Sequence, residues 1–312
     1  VRGLGAKDLV EGKNTLPIRV IAEDGSEKIY NVNVTRKAAV QNVSIFGKQF
    51  EVVDAEPTLT TSSNNTSDAS GLYKSTATNT GNPTYYFRGN VTNNYVKFAG
   101  QTWRIVRINE DGTIRIVMQD GINDNTKYRF NSNYNNYTYM YYTNSEAKTQ
   151  LESWYQTNIG SKKDLAKNVA SGAYYCEQAK AKYSDGATSG NATMTTYSKY
   201  TPDFKCSSDG NGKGQVSGNV GLLSYDELVY AGGYKGQSNS NYYLYNNTYF
   251  WLMSPAGFSS ASSSSVWYVG ASGYVGYSAV SGTSSLHTVL NLTADTQISD
   301  GDGTKENPFI VE

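Results

Sequence analysis

The sequence predicts an α+β protein with a mostly antiparallel sheet and two or three helices, preceded by a partial β-sandwich hairpin. Three observations support this class. Apolar residues alternate on both sides of a turn near the N-terminus, as they do in a hairpin. One strongly amphipathic helix is predicted near the middle of the chain, and nearly everything after residue 246 alternates as strands do.

Residues 1–37 carry the hairpin pattern. Ile18 and Val20 alternate before the turn sequence EDGSE, and Val32 and Val34 alternate after it. Because two strands alone are rarely stable in water, we expect this segment to be the end of a β-sandwich or to dock on the next part of the chain. Its pattern, L.EG.N…V.AEDGS…Y.V.V.R, resembles the C-terminal half of the cadherin-like β-sandwich repeats of bacterial surface proteins, which implies a stalk.

The rest of the chain is divided into a connecting stretch and one large domain. Residues 38–56 are predicted to be a linker or additional strands, and residues 57–312 a single domain that opens on a Thr-, Ser- and Asn-rich loop over 57–82. Further on, strands within 93–120 flank a turn at Asp111 and Gly112. Their predicted core residues are Trp103, Ile105, Ile114 and Ile116.

The amphipathic helix has a clear beginning and end in the sequence. Thr143 and Glu146 have the spacing of a capping box, and Gly160 lies where a helix C-cap belongs. Apolar residues at i, i+4 and i+7 form the face predicted to be buried beneath the sheet: Ala147, Leu151 and Trp154.

Two further helices are predicted from weaker signals. One lies around Lys162–Val169. The other is short, begins at the capping-box pair Ser224 and Glu227, and ends at the glycine pair that starts with Gly232. After residue 246 the sequence predicts strands, including the serine-rich hairpin within 259–285.

The composition favours a binding surface over a site for nucleic acid. Lys and Arg together number 27, as do Asp and Glu, so the zero net charge lacks the basic excess of nucleic-acid and anionic-membrane binders. The chain has 27 Tyr against 9 Phe, and it is rich in Ser, Gly and Asn. That is the composition of antibody paratopes. The alternative is a polar β-rich protein with tyrosines on its solvated sheet faces.

The two cysteines indicate the compartment of the protein, and the start of the sequence indicates whether it is a fragment. Cys176 and Cys206 predict an extracellular disulfide, with two free thiols as the alternative. Closing this loop stabilises a fold by about 3.5 kcal/mol in the chain-entropy model. No apolar run approaches a membrane span, and the sequence starts within a strand without a signal peptide. We therefore expect a fragment or processed form of a longer protein.

The sequence offers little support for catalysis, metal binding or a cofactor. His287 is the only histidine, and at the start of a strand it is predicted to lie at the surface. Asp300, Asp302 and Gly303 faintly resemble a calcium loop but lack the bidentate glutamate, so an Asp-Gly turn is favoured. No glycine-rich phosphate loop follows a strand and opens a helix.

Residues 57–312 carry a family resemblance. The motifs SGLYKSTATNTGNPTYYFRGNVTNNYVKFAGQTWRIVRINEDGTIRIV, AKTQLESWYQTNI, VGLLSYDELVYAGG, YFWLMSPA and VLNLTAD…GDGTKENPFIV occur in this order. Together they resemble surface proteins of Gram-positive bacteria whose C-terminal domain is similar to a C-type lectin fold. That fold also occurs in variable proteins diversified by retroelements and in formylglycine-generating enzymes. The resemblance implies a C-type lectin-like, ligand-binding domain over 57–312.

In retroelement-diversified proteins a fixed framework displays variable residues. Alternate residues of a strand point to opposite faces, so one face holds the core while the other is free to change. By this resemblance the framework here would be Trp251, Met253, Ser254, Pro255, Val266, Val269, Gly273, Val280, Val289, Asn291 and Leu292. The odd spacing of Val266 and Val269 implies a bulge or a sharp twist near Tyr268. The outward, ligand-binding residues would be Phe258, Ser259, Ser262, Trp267, Ser272, Tyr274, Tyr277, Ser281 and His287.

Two departures from the family pattern limit what the resemblance implies. An Arg-Pro pair usually precedes the V.NL strand, where this chain has His287 and Thr288. Formylglycine-generating enzymes carry a reactive cysteine pair close to the C-terminus, whereas Cys176 and Cys206 lie well upstream. That enzymatic activity is therefore not carried over.

The leading hypothesis is a non-enzymatic, adhesin-like binding protein at a bacterial cell surface or on a phage particle. Its variable, Tyr-, Ser- and Gly-rich surface, diversified by a retroelement, would meet a protein or glycan ligand on another cell or host surface. No cofactor, catalytic residue or nucleic-acid partner is expected. The alternatives are a structural cell-surface protein without a variable site, and an extracellular enzyme on a scaffold like that of formylglycine-generating enzymes.

Overall fold

A computed structural model describes residues 7–36, 40–57, 59, 68–177, 182–183, 194–195, 202–206, 214–233, 236–259 and 263–312. The chain divides into two compact units, Val1–Asn42 and Val43–Glu312. In the described part of the chain, no helix has the length and apolarity needed to cross a membrane.

The first unit contains the predicted hairpin. Strands β1 (Gly12–Ile21) and β2 (Glu27–Arg36) pair antiparallel over their full length. The turn between them is closed by Asp24, whose carboxylate accepts hydrogen bonds from the backbone N–H and the hydroxyl of Ser26. Such an Asx turn is the local signal that the EDGSE sequence contains.

The second unit is built mainly of strands. They are β3 (Asn42–Ile45), β4 (Lys48–Glu51), β5 (Gly71–Ser75), β6 (Thr84–Arg88), β7 (Tyr95–Phe98), β8 (Gln101–Ile108), β9 (Ile114–Met118), β10 (Lys127–Arg129), β11 (Tyr174–Cys176), β12 (Lys182–Tyr183), β13 (Met194–Thr195), β14 (Gln215–Ser217), β15 (Phe250–Ser259), β16 (Ser263–Val269), β17 (Val275–Ala279), β18 (Thr283–Ser285), β19 (Val289–Leu292), β20 (Ile298–Asp300) and β21 (Phe309–Val311).

Two large sheets organise these strands. The eight-stranded sheet has the order β19-β9-β8-β7-β21-β20, with β6 pairing to β8 and β5 to β6. The five-stranded sheet has the order β10-β18-β15-β16-β17. Most neighbours are antiparallel, as predicted, and the parallel pairs are β21 with β7 and β15 with β18. Smaller two-stranded sheets join β3 to β4, β11 to β14 and β12 to β13.

The helices are short. They are α1 (Ile122–Asn125), α2 (Glu146–Tyr155), α3 (Lys163–Ala166) and α4 (Tyr225–Ala231). Two 3₁₀ turns, Tyr137–Met140 and Tyr142–Asn144, precede α2, and a π-helical turn, Gln156–Gly160, extends it.

The amphipathic helix is confirmed as α2, with a correction at each end, and the predicted C-cap Gly160 is the last residue of the π-helical turn, whose C-cap is Ser161. Ala147, Leu151 and Trp154 are buried as predicted, and the Trp154 ring lies 6.3 Å from that of Trp103 in β8. The N-cap, however, is Ser145, whose hydroxyl accepts the backbone N–H of Lys148. The predicted cap residue, Thr143, lies two residues earlier.

Thr143 has another role, because the carboxylate of buried Glu177 accepts both its backbone N–H and its hydroxyl. The helix predicted around 162–169 is reduced to the single turn α3. The capping box of α4 is confirmed in both directions between Ser224 and Glu227, and Gly232 ends the helix with φ of 122°.

The prediction of an α+β, C-type lectin-like fold is wrong. Strands make up 41% of the structure and helices 14%, and the strands lie in several separate sheets. The helix signals add up to only a few turns, since α2 has 10 residues and α4 has 7. Stretches predicted as loop or connection pair as strands instead, including β5 inside the supposed loop over 57–82. The fold is mostly β.

The core of the second unit is formed largely by residues of the two large sheets. The predicted core residues Trp103, Ile105, Ile114 and Ile116 are all buried in it. Trp103 donates its indole N–H to the carbonyl of Phe98, so the one polar group of this buried side chain has a hydrogen-bond partner inside the core.

Candidate functional site

The candidate site lies at one end of the five-stranded sheet, on the face that carries Tyr268. In β16, Tyr268 pairs with Trp251 of β15 on one side and Gly276 of β17 on the other. Tyr249 precedes Trp251 by two residues, and Tyr274 precedes Gly276 by two. Because side chains alternate along a strand, residues two apart share a face. We call the surface formed by Tyr249, Tyr268 and Tyr274 the tyrosine face.

Two glycines make room for these rings. A Cβ added to Gly276 would lie 2.6 Å from Cε1 of Tyr274 and 3.3 Å from Cε1 of Tyr268. A Cβ added to Gly270 would lie 3.6 Å from Cε1 of Tyr249 and 3.7 Å from Cε2 of Tyr268. Tyrosine rings therefore alternate with bare backbone across the sheet, and the rings lie directly over it.

The rings form a stack that remains open to solvent. Tyr249 and Tyr268 are nearly parallel, with an interplanar angle of 13° and ring centres 6.2 Å apart. Tyr268 is half-buried, whereas Tyr249 is 46% and Tyr274 40% exposed. Beside them on the same face, buried Trp251 packs edge-on against Tyr268 and donates its indole N–H to the carbonyl of Tyr128. The exposed rings thus adjoin a buried ring that is held by a hydrogen bond.

The local charges are few. Burial raises the pKa of Tyr268, and the neighbouring Tyr274 and Tyr249 raise it further, so its hydroxyl stays protonated at neutral pH. The Lys127 ammonium lies 5.6 Å from the centre of the Tyr249 ring, in cation–π contact. Among the described residues, Lys127 forms no salt bridge. One exposed cation therefore stands at the end of the tyrosine face.

The opposite face of the same sheet is packed, and Trp267 lies there. Trp267 is fully buried, with its ring 4.4 Å from that of Tyr225 at the start of α4. The prediction that Trp267 faces outward as a ligand anchor is therefore wrong. The physical reason is a contact between elements distant in sequence, because α4 covers this face of β16.

Tyr277 lies on the packed face as well, next to Trp267. The two residues are directly paired across β16 and β17, and their rings meet edge-on at 5.9 Å. Tyr277 is nevertheless 53% exposed, since β17 is the edge strand of the sheet. The predicted patch of Trp267, Tyr274 and Tyr277 is thus divided between two faces, because Tyr274 and Tyr277 are three residues apart.

Phe258 and His287 were also predicted to face outward, and both are buried. The 3₁₀ turn Tyr137–Met140 covers Phe258, whose ring lies 6.4 Å from that of Tyr137. His287 is 4% exposed and lies 4.7 Å from the ring of Phe250. Its Nδ1 lies 3.2 Å from the carbonyl oxygen of Met118. Burial lowers the pKa of His287 to about 4, and this hydrogen bond only partly opposes that effect.

The remaining predicted positions have mixed outcomes. Ser272 is exposed, as predicted, and Ser281 is half-buried. The side chain of Ser259 and the whole of Ser262 lie outside the described residues. The predicted framework is buried throughout: Trp251, Met253, Ser254, Pro255, Val266, Val269, Gly273, Val280, Val289, Asn291 and Leu292.

In its described pairing, strand β16 itself has no bulge near Tyr268, but its register with β15 shifts between the pair Tyr268–Trp251 and the pair Val266–Pro255. Its register with β17 runs without a break from Ser265 to Val269. The irregularities are in β15 instead, on both sides of Pro255, which has no N–H to donate to the ladder. Val266 and Val269 point to opposite faces of β16, Val266 to the face that carries Tyr268 and Val269 to the packed face, and each is covered at its own position.

Sequence reasoning missed Tyr249, Tyr268 and Lys127. The signal for the first two was present, because Tyr268 and Gly276 fall on the same face if β16 and β17 simply alternate. Tyr249 precedes the buried framework residue Trp251 by two positions, which places it on that same face. Lys127 carries no comparable signal, since β10 joins this sheet through β18, more than 150 residues later by number.

The remaining candidates for chemistry have structural roles. The Asp302 carboxylate accepts the backbone N–H and hydroxyl of Thr304, as in the predicted Asp-Gly turn. Among the described residues, no group of three potential metal ligands occurs. Cys176 and Cys206 form the predicted disulfide.

A buried ion cluster holds α4 against the eight-stranded sheet. Glu227 lies between Arg107 of β8 at 3.2 Å and Arg115 of β9 at 2.5 Å. Its second oxygen accepts the backbone N–H of Ser224 at the helix start. Burial acts to raise the pKa of Glu227, but Arg115, Arg107 and these hydrogen bonds outweigh it and lower that pKa to about 2. The carboxylate is therefore charged and fixed in place.

Fold and site together define a mostly β protein of two units with an exposed aromatic surface on a rigid sheet. Comparisons with protein-family models, curated proteins and solved structures find no match for this chain.

Proposed function

We propose that the protein is a non-enzymatic, extracellular ligand-binding protein of adhesin type, and that the tyrosine face is its binding surface. The observation that carries this proposal is the row of rings formed by Tyr249, Tyr268 and Tyr274 at an open sheet end. Tyrosine provides a large amphipathic contact area with only two side-chain torsions to fix. Here much of that ordering cost is met in advance, since each ring rests against backbone or another ring.

The disulfide supports the extracellular location. Disulfides persist in oxidising compartments and are rare in the reducing cytosol. The surface chemistry supports binding without catalysis, because the tyrosine face presents phenols over glycine backbone, and among the described residues the cation that contacts one of its rings is Lys127.

We also propose that a retroelement diversifies the surface, and that only predicted display positions whose side chains are not buried vary. The predicted display positions with exposed or half-exposed side chains are Ser272, Tyr274, Tyr277 and Ser281. Substitutions there change the surface at little cost to the core. Sequences of the same gene from sibling strains should vary at these four positions and keep Phe258, Trp267 and His287. Uniform drift across both sets would instead favour a structural surface protein without a variable site.

The direct test is a binding screen with a matched variant. The full chain and the variant Tyr249→Ser/Tyr274→Ser are applied to the same glycan and protein arrays. Tyr249 is 46% and Tyr274 40% exposed, so the variant should stay close to the wild-type melting temperature. The proposal predicts at least one array ligand that the wild type binds and the variant does not. Identical binding by both proteins would contradict it.

A further inference from the structure

We infer that the ligand of the tyrosine face is an extended acidic polysaccharide, an inference that rests on the proposed function and names its ligand class. Sugar rings stack on the tyrosines, and an acidic group of the chain meets Lys127. Three properties of the surface lead to this conclusion: its flatness, its length and its charge.

The tyrosine face is flat, whereas a surface that binds a protein partner tightly usually has pockets for the partner's side chains. Binding energy between proteins concentrates in side chains that fill well-packed pockets near the centre of an interface. On the tyrosine face, Tyr274 lies directly over Gly276, and Tyr249 lies beside Gly270, so the rings cover the backbone instead of enclosing a cavity. A pyranose ring is a better match, because its flat C–H faces pack on aromatic rings while its hydroxyls point sideways.

Hydroxyl groups are available beside the rings to meet those of a sugar. Exposed Ser238 and Ser272 place their Oγ atoms 3.1 Å apart, and Ser238 is bridged to Tyr274 through the backbone. Each hydroxyl donates one hydrogen bond and accepts others, as does the phenol of Tyr268. Aromatic faces with a rim of hydroxyls match the alternation of apolar faces and polar edges in a sugar ring.

The surface is longer than one sugar. The three rings lie on neighbouring strands. Tyr268 is in β16, Tyr274 directly precedes β17 and Tyr249 directly precedes β15. Lys127 lies in β10, at the opposite edge of the sheet from β17. Four inter-strand steps of roughly 4.8 Å separate the outer two strands, a distance of roughly 19 Å. A chain of several sugars that crosses the strands would contact all four residues at once.

The charge of the site selects an acidic chain. Lys127 is exposed and forms no salt bridge among the described residues, and its ammonium already lies over the Tyr249 ring. A carboxylate on a sugar stacked at Tyr249 would therefore meet an ammonium at the same point. The protein's zero net charge gives no general attraction for a polyanion, so the attraction at this site comes from local cations such as Lys127.

The test is calorimetric titration of the full chain with three probes. They are a hyaluronan octasaccharide, which carries uronic acids along the chain, 3′-sialyllactose, which carries one terminal acid, and a neutral chitin oligosaccharide of similar length. We expect hyaluronan to bind most tightly. We expect Tyr274→Ala and Tyr249→Ala each to weaken it by about 10-fold or more, as loss of an aromatic anchor does. Lys127→Gln should weaken it by about 3- to 10-fold and reduce its salt dependence.

Matched controls are Tyr30→Ala, an equally exposed tyrosine in the first unit, and Lys74→Gln on β5, and both should bind like the wild type. Equal binding of the neutral chain with no effect of Lys127→Gln would overturn the acidic assignment. Equal binding of sialyllactose would overturn the extended chain.

Failure of this inference is distinguishable from failure of the proposed function. If no glycan binds but a protein on the arrays binds in a Tyr274-dependent way, the glycan inference is overturned and the proposed function stands. If no array ligand depends on Tyr249 or Tyr274, both are overturned.

Discussion

At the scale of single residues, Trp267 contributes to stability. Its ring is fully buried between Tyr225 of α4 and Tyr277 of β17. Replacing it with alanine would leave a large cavity between helix and sheet. We expect Trp267→Ala to lower the free energy of unfolding by about 3–5 kcal/mol, measured by urea denaturation. Trp267→Phe should cost clearly less, and an unchanged midpoint for Trp267→Ala would mean that the ring is not in the core.

His287 gives the protein a pH dependence that can be isolated, because the chain has only this histidine. Its pKa falls from 6.5 in the unfolded chain to about 4 in the fold. The unfolded state therefore binds a proton more readily, and stability falls as pH falls from 6.5 towards 4. Between pH 7 and pH 5 the loss should be about 2 kcal/mol.

The control for this prediction is His287→Gln, which keeps a polar side chain but does not titrate. Its free energy of unfolding should change much less than that of the wild type between pH 7 and pH 5. If the two pH profiles run parallel, His287 is not the buried neutral group described above.

At the scale of elements, α4 is held by Glu227. This residue completes the capping box and bridges two buried arginines, so its removal leaves both cations without their shared carboxylate. Loss of one partner from a buried ion pair is expensive, and we expect Glu227→Gln to lower the free energy of unfolding by about 3–5 kcal/mol. Guanidinium denaturation should be avoided as the measurement, since its ionic strength screens charges; urea is suitable.

The matched control is Glu152→Gln in α2, which removes an exposed i,i+4 pair with Lys148. Such pairs contribute about 0.3–0.5 kcal/mol, so this variant should be close to the wild type. If the two substitutions lowered the free energy of unfolding equally, burial would not be the reason for the contribution of Glu227 to stability.

Elements with local signals could be predicted from the sequence, and elements defined by distant partners could not. The capping box of α4 and the buried face of α2 both depend on residues three or four positions apart, so the local sequence predicts them. By contrast, β10 consists of Lys127–Arg129 and becomes a strand only because it pairs with Thr283–Ser285. Short strands of this kind raised the β content above what local patterns indicate, and the α+β class failed for that reason.

The candidate site likewise contains residues whose positions local patterns predict and residues whose positions depend on distant contacts. Val266 was predicted to be buried and Tyr274 to be exposed, and both are, but the two residues lie on the same face of the sheet, so local alternation alone does not distinguish them. Trp267 was misplaced because its cover, Tyr225, is some 40 residues away in the chain. Sequence patterns assign residues to faces, but which face is covered depends on tertiary packing.

At the scale of the whole molecule, the disulfide closes a loop between Cys176 and Cys206, with a sequence separation of 30. Titration of the unfolded, non-reduced chain should find no free thiols. In the chain-entropy model a loop of this length contributes about 3.5 kcal/mol, so Cys176→Ser/Cys206→Ser should lose about that much stability. Two reactive thiols in the untreated protein would contradict the bond and remove the main support for an extracellular location.

On the proposed function, the tyrosine face binds the ligand and the packed face of the same sheet supports it. The most direct measurement is the affinity of Tyr274→Ala and wild type for the strongest ligand found on the arrays, with melting temperatures recorded in parallel. We expect Tyr274→Ala to bind about 10-fold more weakly or worse, with a nearly unchanged melting temperature. Unchanged affinity in Tyr274→Ala, together with a full loss in a variant of the opposite face such as Tyr277→Ala, would contradict it.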